Sequence, residues 1–218
     1  MVVERVSSEL QTMWIERLPI FPMLMSNYHI RSAYGYFSEK KRGEVFLTFH
    51  PDTRPGFAAY LYGSLVGAGI RVLRDDHPYL IGTHVNQGIL NAIHHCKILI
   101  PILSENFASS QWCLDNLAEM VDCKRKKGQK ILTIFYKVKF SDVKNISGSF
   151  GKNMLEHKEK VRPLVYGRWE EALDEITSSK IWESEKVANG GRNEAELSTK
   201  VVKEVLMLVT NPQKLDPS

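Results

Sequence analysis

At 218 residues the chain is long enough for one well-buried α/β domain with a tail, and marginal for two. Its 29 basic and 25 acidic residues leave a formal charge of +4, and neither sign forms a long run, which argues against a nucleic-acid partner. Cys96, Cys113 and Cys123 are odd in number and lack metal spacing, so no disulfide framework or metal site is indicated. They fit a reducing compartment, with the cytoplasm as the expected location and Cys96 and Cys113 acting as small buried hydrophobes.

Residues 1–42 read as a loosely ordered leader ending in a linker, Ser38-Glu39-Lys40-Lys41-Arg42-Gly43. The apolar patch at 18–25 is interrupted by Pro19 and Pro22 and falls far short of the roughly 20 residues that span a bilayer. No transmembrane segment is expected, and Glu4, Glu9 and Glu16 ahead of the patch argue against a secretory signal. The alternative to a plain leader is a weak membrane-surface contact.

From Glu44 the chain alternates strand and helix. Residues 45–49 form the first strand, and Phe57, Leu61, Leu65 and Val66 the buried stripe of a first helix closed by Gly69. Residues 70–73 make the second strand. Val85, Ile89, Leu90 and Ile93 mark the second helix. Residues 98–103 are continuously apolar, as a strand buried on both faces of a parallel sheet requires.

Ser109 or Ser110 then caps a third helix. Cys113, Leu117, Met120 and Val121 fall on its buried arc, with Trp112, Asn116 and Glu119 on the outward one. The run Lys124-Arg125-Lys126-Lys127 reads as the solvated end of this helix, where cations suit the dipole.

Residues 131–136 are the fourth strand, 137–179 an irregular stretch with helical pieces at 150–158 and 169–176, and 180–182 an edge strand. Asn193 with Glu196 resembles a capping box, starting a last helix through Leu197, Val201, Val205 and Leu208. Strands separated by helices of this length imply right-handed crossovers and a parallel sheet.

The run Ser109-Ser110-Gln111-Trp112-Cys113-Leu114-Asp115-Asn116-Leu117 resembles the S-x-W-C-L-x-E-L signature of plant Toll/interleukin-receptor (TIR) domains. Residues 45–54 (VFLTFHPDTR), 74–76 (RDD), 134–138 (IFYKV) and 141–144 (SDVK) match further family motifs in order. The resemblance implies a TIR domain over 43–209 and a tail over 210–218. It implies an α/β, flavodoxin-like, doubly wound sheet of five parallel strands in the order 2-1-3-4-5, with helices on both faces. In that order the ligand crevice lies between the first and third strands, flanked by the loops at 50–54 and 104–110.

Enzymes of the resembled family cleave the nicotinamide–ribose bond of NAD, and a carboxylate is the natural stabiliser of the positive charge that develops on the ribose. At about 4 Å and an effective dielectric of about 20, that attraction is on the order of 4 kcal/mol, roughly a thousandfold in rate. The family's catalytic glutamate position is Asn116 here, which carries no charge. Glu119, at i+3 on the same arc, is the candidate substitute acid. Asp115 is rotated by about 100° and points along the surface.

By the same resemblance Phe49, His50, Asp52, Arg54 and Trp112 outline a vestigial NAD cleft. Its first loop is a residue shorter than the family's F-R-G-x-D-x-R and lacks the first Arg-Gly. The alternative role for Asp52 and Arg54 is a short-range ion pair that ties the first loop to a helix. Val138-Lys139-Phe140-Ser141 replaces V-D-P-S, and Gly82-Thr83-His84-Val85 replaces G-K-x-I.

The family's other use is association with other TIR domains through the first and last helices, where this chain carries Ala58, Ala59 and Tyr60. Two functions follow as expectations. One is a TIR signalling and interaction module of plant innate immunity with impaired NAD cleavage, requiring no cofactor. The other is an NAD hydrolase using Glu119. No P-loop pattern follows Val209, so either a TIR-only protein or a fragment of a larger receptor is expected. A phosphoacceptor receiver domain is disfavoured, because the acid pair Asp75-Asp76 follows the second strand and Ser104 ends the third.

Overall fold

The computed structural model describes residues 44–76, 85–179, 181–184 and 193–211. The leader and its linker, Gly82-Thr83-His84, Lys180 and the tail beyond Asn211 lie outside these residues.

At the centre stands β1 (Val45–Phe49), all five residues buried. It pairs in parallel with β2 (Val72–Arg74) on one side and β3 (Ile98–Leu103) on the other. Next to β3 run β4 (Lys130–Ile131) and β5 (Thr133–Phe135), and β5 pairs with β6 (Ile181–Glu183), every pairing parallel. The order is β2-β1-β3-β5-β6 with β4 attached to β3. The expected fourth strand is therefore two short pieces broken at Leu132, whose N–H still donates to the Leu99 carbonyl at 2.9 Å. The second strand lies further along than its apolar residues suggest, and Arg74 pairs with Leu47.

Side chains alternate across the sheet. Val45, Leu47 and Phe49 join Ile98, Ile100 and Ile102 on one face, while Phe46, Leu99 and Leu103 enter the core on the other. Both faces are covered, which explains why β3 is apolar throughout and β1 is apolar but for Thr48. The first face is covered by α1 (Ala59–Gly67) and α7 (Asn193–Thr210). The stripe of α7 falls as expected on Leu197, Val201, Val205 and Leu208, all buried.

On α1, Leu61 and Leu65 are buried, but Val66 is 46% exposed, because the residue after Leu65 is turned by about 100°. Ala58 is buried in the turn that precedes the helix, and only Ala59 and Tyr60 face outward. Gly69 closes the element at φ +82°, a conformation costly for a residue with a Cβ.

The second face is covered by α2 (Val85–His95), α3 (Gln111–Lys127) and α6 (Pro163–Thr177). Within 137–179 the chain forms α4 (Phe140–Lys144), which was not expected, then α5 (Gly148–Leu155) and α6, which match the two expected helical pieces but start earlier. Pro163 occupies the first turn of α6, where its fixed φ and missing N–H suit a helix start. Lys124 and Arg125 do more than close α3: both bond Glu175 of α6 at 2.9 Å, and the Lys124 and Arg125 bonds hold its carboxyl below the usual range.

Ser110 is the N-cap of α3, accepting from the Cys113 N–H at 3.3 Å, while Ser109 donates to the Asn106 carbonyl at 2.7 Å. Ser110→Ala should cost about 1 kcal/mol. In thermal unfolding followed by circular dichroism this lowers Tm by about 2–4 °C. An unchanged Tm would mean that water caps the helix as well as the hydroxyl does.

Candidate functional site

The crevice opens at the carboxyl ends of β1 and β3, where the strand order reverses. Two loops meet there, and Asp52 joins them. Its carboxylate accepts from Ser104 Oγ at 3.1 Å and from Asn106 Nδ2 at 2.9 Å, and lies 3.0 Å from His50 Nδ1. His50 Nε2 lies 3.5 Å from Ser109 Oγ. Arg54 turns away to Asp76 at 3.0 Å, a carboxylate that Arg74 also holds at 3.0 Å. Neither side chain ties the first loop to a helix: Asp52 bonds the loop after β3, and Arg54 pairs with Asp76 just after β2.

Beside Asp52 lies a hollow of about 350 Å³, lined among others by Gly56, Ser104, Asn106, Tyr136 and Lys137. Tyr136 stacks on Phe57 with ring centroids 5.0 Å apart and donates its hydroxyl to Glu194, tying the rim to α7. The left-handed backbone of Lys137 (φ 53°) turns the chain at this rim. Neither residue was singled out from the sequence as a site residue, although both lie within the motif at 134–138.

Of the anticipated cleft residues, Asp52 lines the hollow. Phe49 is buried in the core shared with α1 and α7. Trp112 is partly buried against the core on the α2, α3 and α6 side. Asn116 is not outward-facing: it is 6% exposed, and its Nδ2 donates to Thr48 Oγ1 at 3.5 Å. Leu114 and Ala118 are buried as well, because α3 is enclosed by β1, α2 and α6 together, which widens its buried arc.

Glu119 is held between an imidazole and a guanidinium. His94 Nε2 lies 2.6 Å from Oε1, and Arg168 Nη2 donates to Oε2 at 3.1 Å. Asp115 lies on the surface as expected and accepts from Trp169 Nε1 at 2.9 Å.

Beneath the crevice sits an acid, Asp75, that its sequence motif does not mark as a site residue. Asp75 is 7% exposed and accepts from Thr48 Oγ1 at 2.5 Å and from the Phe49 N–H at 3.3 Å. Burial pushes its carboxyl up to about 7; the Asp76 charge adds to the rise, and the Thr48 and Phe49 bonds and Arg54 oppose it. Asn116, Thr48 and Asp75 thus form a buried polar chain from α3 through β1 to the end of β2. The crevice can accept hydrogen bonds at Asp52 and offer a cation at Lys137, with no carboxylate at position 116.

The TIR-domain family model matches residues 44–218. Over 140 residues the chain is 37% identical to TMV resistance protein N of Nicotiana glutinosa, covering 63% of this chain and 12% of that protein. It is 34% identical over 163 residues to the disease resistance-like protein DSC2 of Arabidopsis thaliana, covering 74% and 13%. The chain therefore spans about an eighth of the length of these relatives. Among solved structures it resembles the TIR domains of the activated Roq1 resistosome that directly recognizes the pathogen effector XopQ. That match has a TM-score of 0.68 and 25% identity, covering 74% of this chain and 98% of that one.

Proposed function

The chain belongs to the TIR-domain family, and from that membership we propose that it is a signalling and interaction module of plant innate immunity. It acts by association with other TIR domains, and its NAD cleavage is impaired. The observation that carries the association is where apolar surface remains open. Six large apolar side chains are exposed among the described residues, and four of them, Tyr60, Val66, Leu206 and Met207, stand on α1 and α7. These two helices pack against each other on one face of the sheet. Ala59, Gly63 and Gly67 are also exposed on α1, and small residues let a partner helix approach closely. Contiguous apolar surface on a small domain marks a contact site.

Sedimentation velocity over a concentration series tests this reading. The wild-type chain should self-associate, and Tyr60→Asp with Leu206→Asp should weaken the association more than about tenfold, or about 1.4 kcal/mol. Both positions are exposed, so the fold should survive. A chain monomeric throughout, or one indifferent to both substitutions, would sink the proposal.

Impaired cleavage is supported by the neutral side chain at 116 and by the engagement of Glu119 with His94 and Arg168. A cytoplasmic location is supported by three free, buried cysteines. Among the described residues no helix is long and apolar enough to cross a membrane.

A further inference from the structure

One turn along α3 from Asn116, three side chains from two helices converge. His94 comes from the last turn of α2, and Glu119 and Cys123, four residues apart, share one face of α3. One donor atom from each lies within 4.8 Å of the other two. We propose that this trio is a binding site for a borderline-soft divalent transition metal, Zn²⁺ in the first instance, with water as the fourth ligand.

The donor set selects the metal. A thiolate, an imidazole and a carboxylate suit Zn²⁺ in tetrahedral geometry, whereas Mg²⁺ and Ca²⁺ require oxygen ligands throughout. The surroundings suit a bound ion as well. Cys123 is buried, while His94 and Glu119 are partly exposed, which leaves an entry path and room for the water.

Arg168 holds Glu119 Oε2 at 3.1 Å, which leaves Oε1, the oxygen 2.6 Å from His94 Nε2, for the metal. The Arg168 charge is itself met by Asp122 at 2.6 Å. The thiolate and the Glu119 carboxylate therefore remain to balance the dication. On binding, the Cys123 thiol gives its proton to solvent as the metal–sulfur bond forms. The metal also takes the place of the His94–Glu119 contact, now 2.6 Å long. Metal–nitrogen and metal–oxygen bonds of about 2.0–2.2 Å put those two atoms roughly 3.3 Å apart, a small displacement for a partly exposed imidazole. The bound ion joins α2 to α3 and takes Glu119 out of reach of the crevice.

Co²⁺ is the probe, because its spectrum reports both thiolate ligation and geometry. Titration of the full chain should give a near-ultraviolet sulfur-to-cobalt band together with visible bands of tetrahedral intensity, and stoichiometric Zn²⁺ should erase both. Cys123→Ser should abolish the near-ultraviolet band. His94→Gln, at a partly exposed position where the fold is not at stake, should weaken Co²⁺ binding more than about tenfold. Far-ultraviolet circular dichroism verifies that each variant is folded. Absence of the sulfur band in the wild-type chain overturns the proposal. So does a band that survives Cys123→Ser, or Co²⁺ affinity that His94→Gln leaves unchanged.

Discussion

Asn116→Glu should raise NAD cleavage by up to roughly a thousandfold over the wild-type chain, which is expected to turn over NAD hardly faster than buffer. The increase reflects the charge that a carboxylate sets against the developing positive ribose. The Asn116 amide nitrogen now donates to Thr48 Oγ1, whose own proton is committed to Asp75. A carboxylate at 116 would meet the lone pairs of that oxygen and, behind it, the Asp75 carboxyl. It is therefore driven away from β1, and its longer stem favours the crevice side. Rates should be measured on concentrated, oligomerised protein. No gain in the variant would mean that the crevice has lost its productive shape as well as its charge. Wild-type turnover that Glu119→Ala abolishes would assign the acid to Glu119 and reject the reading of impaired cleavage.

Asp75→Asn should stabilise the domain at pH 8 and flatten its dependence on pH. The Asp75 carboxyl moves from 3.8, its ordinary value, to about 7 in the fold, chiefly through burial. Between these values the unfolded chain has released the proton and the folded chain still holds it. The unfolded state then binds fewer protons, so stability falls as pH rises through this window. The penalty is absent below the lower value and complete above the upper one, where it amounts to roughly 4 kcal/mol. Asparagine keeps an oxygen to accept from Thr48 and from the Phe49 N–H while removing the charge. Urea unfolding of both proteins across the window should give curves that nearly coincide at the acid end and separate by a few kcal/mol at pH 8. A variant that is less stable at pH 8 would show that the ionised carboxylate supports the fold.

How much of this was legible beforehand depends on how far each feature reaches along the chain. The six-residue run of β3, the serine cap of α3, the glycine that ends α1 and the stripe of α7 were all readable, because each follows from neighbours within a few residues. The order of the sheet and the place of the crevice followed from motifs in sequence, and the structure places β1 and β3 accordingly. The first helix was misjudged at Val66 and Ala58, and within 137–179 the two helical pieces were legible but α4 was missed and α6 was begun too late, since a helix of five residues carries too few turns for its period to show.

By itself, then, the sequence determined a parallel α/β domain, its family, and the neutral residue at 116. Tertiary structure alone decided what the polar side chains do. Asn116 meets Thr48 across 68 positions, Thr48 meets Asp75 across 27, and Glu119 meets His94 across 25. Helical and strand periods assign a residue to a face of its own element. They cannot say that α3 is enclosed on several sides, nor that an acid from the end of β2 is drawn beneath the crevice. The protonation of Asp75 and the partners of Glu119 are set by desolvation and by charges brought close only when these elements pack.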